Sequence, residues 1–163
     1  MMWLFTYFSH AAFMPSPAHR SLLAVAKGEI GKGESGANNS GAAVAKYRNG
    51  GKGKGPWCAA FVSWCIEHSD VAGKVKRSHG AKRLFRRVVR AGAFTDDDPL
   101  PGDIVCWHRG KKGSWKGHIG IVSRVEGSTF WAIEGNRGRF PSKVAEYRHE
   151  LDEAMLIGFA RVR

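Results

Sequence analysis

The order of hydrophobic and polar positions divides the chain into a helical first part and a strand-rich second part. Apolar residues recur at helical spacing in 19–31 and 41–48, and they fill nearly every face of 57–68. A basic amphipathic segment, 81–92, completes this part and ends at a glycine. The pattern predicts four helices, and it predicts that 57–68 is buried.

The period of the pattern changes after residue 100. Short β-branched or aromatic runs, separated by Gly-rich turns, predict about five strands: 103–108, 118–125, 129–136, 142–150 and 155–162. The helices come first and the strands follow, with no alternation between them. This order predicts an α+β domain in which N-terminal helices pack on a C-terminal antiparallel sheet.

The first residues differ from the rest because they are apolar and uncharged apart from His10. This stretch is too short to span a bilayer and lacks the positive n-region of a signal peptide. We expect residues 1–17 to form a poorly ordered apolar extension and 18–163 to form a single catalytic domain. A cleavable leader stays open as an alternative.

The charge of the chain is strongly basic. Lys and Arg number 26 against 14 Asp and Glu, which gives a net charge of +12. This excess predicts an anionic partner such as nucleic acid, an acidic cell-wall polymer or anionic lipid. The basic helix 81–92 also keeps a non-enzymatic alternative open: a nucleic-acid or membrane-surface binding module whose cysteines are inert core residues.

The three cysteines, Cys58, Cys65 and Cys106, are too few to indicate a disulfide framework. In a helix over 57–68, the Cα atoms of Cys58 and Cys65 would lie roughly 10 Å apart. A disulfide needs less than about 7 Å. Cys58 is therefore predicted to be a free thiol, and the other two are predicted to belong to the core.

Cys58 is also the candidate nucleophile. In the first turn of a helix, unpaired N–H groups and the helix dipole stabilise a thiolate, which is the reactive form of cysteine. Its best-placed base is His118, which opens a strand between Gly117 and Gly120, and His108 is the rival. The other internal histidines lie in polar stretches predicted to be exposed: His68, His79 and His149.

The base needs an acceptor that orients it, and Glu134 and Asn136 are the candidates because they share one face of a strand. A three-residue loop, 126–128, would place His118 opposite Asn136 with Glu134 on the diagonal. A two-residue loop would place His118 on the opposite face from both. The arrangement therefore predicts an odd loop length.

Metal chemistry is not indicated by the spacing of possible ligands. Cys106, His108 and His118 could be imagined around zinc, but they form no C-x-x-C pair and no spacing typical of such a site. We predict neither a metal nor an organic cofactor.

Four motifs in order resemble the CHAP family, the cysteine, histidine-dependent amidohydrolases and peptidases of the papain-like superfamily. They are PWCAAFVSWC around Cys58, LPGDIVCW at 100–107, GHIGIV around His118, and IEGN at 133–136. The resemblance runs over roughly residues 20–160. It implies a papain-like fold with no redox cofactor.

The resemblance also implies roles for single residues. Cys58 would attack an amide carbonyl and His118 would relay the proton. Glu134 would orient His118, and Asn136 would share or replace that role. We further expect three residues to bind substrate: Trp57, Asn38 and Trp115.

Members of the family mostly cleave peptidoglycan, at the N-acetylmuramoyl-L-alanine amide or within the peptide stem. We therefore expect peptidoglycan as substrate, an anionic wall polymer as a further partner, no stable nucleic-acid partner, and a monomer. The expected place of action is the bacterial cell wall, periplasmic or extracellular, with no clear signal peptide. The sequence ends with the sheet, so we expect the domain itself to bind the wall.

Overall fold

The structure, a computed structural model, describes residues 17–51 and 53–163, with side chains from Ser21 onward. Apart from the backbone of Pro17, the extension predicted for 1–17 lies outside the described residues and stays a prediction. Within the described ranges, no helix has the length and apolar character needed to cross a membrane. The four helices lie near their predicted positions: α1 (Pro17–Lys27), α2 (Ala42–Tyr47), α3 (Cys58–Glu67) and α4 (Ala81–Ala91).

Six strands form one antiparallel sheet in the order β1-β6-β2-β3-β4-β5. The predicted α+β architecture is confirmed, with one strand more than expected. The extra strand is β1, which follows α4 directly and pairs with β6 at the edge of the sheet. Its four residues are too few to show a period in the sequence. The strands are β1 (Gly92–Thr95), β2 (Ile104–His108), β3 (Gly117–Glu126), β4 (Thr129–Glu134), β5 (Ala145–Glu150) and β6 (Leu156–Val162).

Side chains alternate between the two sides of the sheet, as the strand period requires. One side, which we call the helix side, packs against the helices through β-branched residues such as Ile119, Ile121 and Ile133. The opposite side, which we call the far side, carries a separate apolar cluster: Val105, Trp107, Val122, Phe130, Ala132 and Phe159. The two clusters anchor opposite faces of the same strands.

The hairpin between β3 and β4 differs from the prediction. Glu126 pairs with Thr129, so the turn has two residues, and its first, Gly127, has the positive φ of +60° that a type II′ turn needs. The expected three-residue loop is therefore wrong. A β-bulge at Ser123 inserts the extra residue instead, and beyond it Gly120 pairs with Glu134. The extra residue that the prediction placed in the loop thus lies in β3, and it puts His118 and Glu134 on the same side of the sheet.

The PGD motif forms a turn that fixes the start of β2. Gly102 has a φ of +96°, and the backbone N–H of Leu100 donates to Asp103 Oδ2 at 2.8 Å. The Asp103 carboxylate is fully buried and accepts two hydrogen bonds from Arg161 of β6, each 2.8 Å long. This bidentate ion pair ties the turn to the sheet and sets where β2 begins.

Candidate active site

Helix α3 begins at Cys58, and no side chain caps its N-terminus. Cys58 is therefore in the first turn, as predicted, next to backbone N–H groups that the helix leaves unpaired. The thiol is 4% exposed and lines a groove of about 310 Å³ with Arg109, Trp115 and Gly117. All three cysteines are free, which confirms that Cys58 is not in a disulfide.

The other two thiols have surroundings that suppress their chemistry. Cys65, deeper in α3, and Cys106, on the helix side of β2, have no exposed surface. Burial raises the pKa of Cys106 to about 12 and raises the pKa of Cys65 well above its usual value. Both therefore stay protonated and behave as core residues, as the sequence predicted.

Trp57, which precedes Cys58, is held by a buried carboxylate. Its indole N–H donates to Glu34 Oε1 at 3.0 Å, and Glu34 Oε2 accepts from the backbone N–H of Ser142 at 2.7 Å. The indole ring lies against Gly135, where an added Cβ would come within 2.4 Å of Cζ3. Trp57 is fully buried, so the expected contact with substrate does not fit its position. It anchors the start of α3 instead.

His118 lies on the far side of β3 and is 5% exposed. Its Nε2 is 2.6 Å from Glu134 Oε2, and the neighbouring Cys58 side chain raises the pKa of the ring. Because Nε2 faces Glu134, the remaining ring nitrogen is Nδ1. Arg109 places Nη2 3.0 Å from Nδ1. The three predicted residues Cys58, His118 and Glu134 thus lie in one line.

The electrostatics of this line raise the basicity of His118. Burial lowers the pKa of His118, but hydrogen bonds with Cys58 and Glu134 outweigh it, so the net pKa is raised. Burial raises the pKa of Glu134, yet hydrogen bonds from His118 and His149 lower it to about 2. An ionised Glu134 beside His118 thus makes the imidazole a stronger base, which favours transfer of a proton to it.

Sequence reasoning missed two partners of Glu134. His149 Nε2 is 2.6 Å and Arg137 Nη1 is 2.9 Å from Glu134 Oε1. The expectation that His149 is exposed is wrong, because only 5% of it is accessible. The alternation in AEYRHE was the available signal: the charged residues Glu146, Arg148 and Glu150 point one way, and His149 points the other.

The remaining candidates occupy different places. Asn136 follows the end of β4 with a φ of +61°, and no hydrogen bond joins its side chain to another described residue. Asn38 is exposed in the loop before α2 and does not line the groove at Cys58. Trp115 is 79% exposed and does line it. Lys82 holds the Trp115 loop through hydrogen bonds to the carbonyls of Lys112 (3.0 Å) and Ser114 (2.6 Å).

The rival base, His108, faces away from this line. It ends β2 and lines a different cavity of about 500 Å³ beside Phe85 and Val89 of α4. Among the described residues, no group of three or more His, Cys, Asp or Glu side chains is placed to hold a metal ion.

Comparison with solved structures gives low sequence identity over most of the chain. An NLP/P60-family protein similar to lipoprotein, from Staphylococcus aureus, matches with a TM-score of 0.50 and 17% identity, over 94% of this chain and 44% of that one. Ly7917 matches with a TM-score of 0.49 and 17% identity, over 86% of this chain and 61% of that one. The chain thus spans less than two thirds of either protein, and the first likeness concerns the fold alone. The search of curated proteins gives no significant match.

The comparison with protein families is more specific. The sequence profile of the CHAP domain matches residues 46–136, more than half of the chain. The match begins in α2 and ends at Asn136, so it includes the helix that starts at Cys58 and the strands that carry His118 and Glu134. With its α+β, papain-like architecture, the chain belongs to the CHAP family.

Proposed function

We propose that this CHAP domain is a peptidoglycan hydrolase that cleaves an amide bond with Cys58 as its nucleophile. The observation that carries the proposal is the line from Cys58 through His118 to Glu134, opening onto a groove at the N-terminus of α3. Papain-like hydrolases use a cysteine, a histidine and an orienting polar residue in this order. Because the chain belongs to the CHAP family, the first substrate to test is an amide bond of the bacterial cell wall. The bond is either the N-acetylmuramoyl-L-alanine amide or one within the peptide stem.

The first half of the reaction forms a thioester. The thiol proton of Cys58 moves to Nδ1 of His118, and the sulfur attacks the amide carbonyl carbon. The backbone N–H of Cys58, at the open end of α3, is the candidate donor to the oxyanion. The C–N bond then breaks as His118 gives its proton to the leaving amine.

The second half releases the acyl group. Water attacks the thioester carbonyl and passes a proton to Nδ1 of His118. The C–S bond breaks, the carboxylic acid product leaves, and the Cys58–His118 pair is restored. Each half therefore uses His118 first as base and then as acid.

We assign the orienting role to Glu134 rather than Asn136. Glu134 is fully buried and accepts from His118 at 2.6 Å, whereas the Asn136 side chain has no hydrogen bond within the described part of the chain. A carboxylate here fixes the tautomer of His118 with the proton on Nε2 and stabilises its charged form.

Trp115 is the candidate substrate-binding residue that the groove supports. Its exposed ring stands at the groove beside Cys58 on a loop that Lys82 holds in place. An exposed indole offers a flat apolar surface to a sugar ring or a stem-peptide side chain. Asn38 and Trp57 do not share that position.

A basic groove next to this site supports the proposal of an anionic wall polymer as a further partner. The groove has a volume of about 380 Å³ and adjoins the first one through His79, Gly80 and Trp115. Within the described part of the chain, Arg83 and Arg86 form no ion pair, so their charges are free to meet phosphate or carboxylate groups. The cationic residues that line it are Arg77, Lys82, Arg83, Arg86 and Arg87.

The proposed reaction is tested with Cys58→Ala in a suspension of bacterial cell walls. We expect the loss of turbidity to slow by about 10⁴-fold or more, because no other group can form the thioester. Cys65→Ala, in the same helix, is the matched control and should keep its activity. Mass spectrometry of the released muropeptides identifies the bond that is cut.

Undiminished lysis by Cys58→Ala protein would overturn the proposal. In that case, salt-sensitive binding to DNA by the same variant would favour the alternative of a basic binding module with an inert cysteine.

The polymer contact is tested by reversing two charges, Arg83→Glu and Arg86→Glu, and measuring sedimentation with walls. We expect weaker binding, and we expect salt to weaken the binding of the unmodified protein in the same way. Reversing Lys27 and Arg163, which line neither groove, is the matched control. Equal loss in both double variants would contradict a specific basic groove.

A further inference from the structure

A second buried histidine lies directly behind the carboxylate that orients His118. His149 pairs with Phe130 across β4 and β5 and is 5% exposed. Its Nε2 is 2.6 Å from Glu134 Oε1, and its Nδ1 is 2.9 Å from Glu153 Oε1. The ring therefore bridges two carboxylates, one of which contacts the candidate base.

Two carboxylates and one guanidinium surround this ring. Glu134 is fully buried and Glu153 partly buried, and an unpaired carboxylate in such a place is costly. His149 places one ring nitrogen against each carboxylate. Arg137 lies at the rim, with Nη1 2.9 Å from Glu134 Oε1 and 2.8 Å from His149 Nε2.

Aromatic side chains fix the plane of the ring. Trp107 lies 4.6 Å from His149 between ring centroids, and Phe130 stacks on it at 5.2 Å with an angle of 18°. Trp107 also donates its indole N–H to Glu153 Oε2 at 2.9 Å. Both oxygens of Glu153 are thus engaged, which fixes the carboxylate at this end of the line.

We propose that His149, held by Glu153, is a positioning residue that fixes the Glu134 carboxylate against His118. The line Cys58–His118–Glu134 continues by one more His–Glu pair across the far side of the sheet. The inference rests on the proposed function, since it assigns His149 a part in preparing the nucleophile. His149 touches neither the substrate nor the sulfur and acts only through Glu134.

The mechanism predicts more than a loss of stability. Without the contact from His149, Glu134 can turn its Oε2 away from His118, and the protonated form of His118 loses support. The pH at which Cys58 becomes reactive would then move, even with no substrate present. A purely structural histidine would change neither that pH nor the rate of each folded molecule.

The experiment compares His149→Phe, which keeps the aromatic stacking, with His68→Phe. His68 is exposed and stacks on Trp64, so it is a matched control. For His149→Phe we expect kcat on cell walls to fall by about 10- to 100-fold, with KM within about twofold. The pH dependence of Cys58 alkylation by iodoacetamide should move as well. His68→Phe should change neither.

A second variant keeps the test decisive if His149→Phe does not fold. Glu153→Gln retains the shape of the side chain and removes its charge, so we expect the same shift in Cys58 alkylation with a smaller fall in kcat. An unmoved alkylation profile and an unchanged kcat in the variant that folds would overturn the inference. If the unmodified protein cuts no wall amide, the proposed function fails, while alkylation still tests the role of His149.

Discussion

The two sides of the sheet are built by the same strands but hold different chemistry. On the helix side, Ile119, Ile121 and Ile133 pack against α3 and its neighbours, and the thiol that β2 contributes, Cys106, stays protonated. On the far side, the same strands β3 and β4 present His118 and Glu134, 2.6 Å apart. A difference of one residue in register therefore separates a core position from a candidate catalytic one.

The two sides also differ in what stabilises their buried residues. Apolar residues on the helix side need only be buried, because the hydrophobic effect has no direction. The polar residues of the far side need partners at definite distances, and they find them in a line that runs from His118 through Glu134 to His149 and Glu153. Changes on the helix side should thus alter stability, and changes in the line should alter reactivity.

Among changes within the sheet, the largest expected effect comes from Glu134→Gln, which removes the charge in the middle of the line. The amide keeps the size of the side chain, so circular dichroism should show a native fold. We expect kcat to fall by about 10³-fold or more, because the charged form of His118 loses its stabilising partner. Near-normal kcat with a native spectrum would contradict the role of Glu134.

The second effect is a difference in thiol reactivity across the sheet. At neutral pH, iodoacetamide should modify Cys58 at least about 100-fold faster than Cys106, because burial raises the pKa of Cys106 to about 12 and leaves almost no thiolate there. Peptide mapping by mass spectrometry after short exposure measures the ratio. Equal labelling of both thiols in folded protein would remove the contrast.

The third prediction concerns Ile133, which precedes Glu134 in β4 and lies on the helix side. Here we expect a loss of stability without a loss of activity. Ile133→Ala should lower the free energy of unfolding by about 2 to 4 kcal/mol, because it leaves a cavity in the core. Urea denaturation measures this loss. The activity of each folded molecule should stay close to that of the unmodified protein, and a large fall in kcat at full folding would show that the two sides are not separable.

The smallest effect is in the pH dependence of stability. The pKa of Glu134 is lowered from 4.5 to about 2, so its contribution is present above pH 4.5 and is lost as the pH falls through 2. The pKa of His118 is raised above 6.5, so its contribution is present below pH 6.5 and is lost as the pH rises through the raised value. Thermal melting of the unmodified protein should therefore lose stability towards pH 2 more steeply than that of Glu134→Gln. Parallel curves would contradict the ionised Glu134.

The sequence by itself determined the elements and the first three groups of the site. Apolar periodicity gave four helices and most strands, because local burial patterns repeat with the geometry of the backbone. The position of Cys58 at a helix start and of Glu134 in an apolar strand followed from the same local rules. These features need only near neighbours in the chain to be recognised.

The tertiary structure decided which of these groups meet and which further residues join them. The bulge at Ser123 sets the side on which His118 lies, and nothing in the local sequence required it instead of a longer loop. Trp57 contacts Glu34, and Glu134 contacts His149, across separations of 23 and 15 residues. A polar residue in a strand or loop looks the same in sequence whether water or a distant carboxylate satisfies it, and only the packing of β4 against β5 and of α3 against the sheet settles which partner it has.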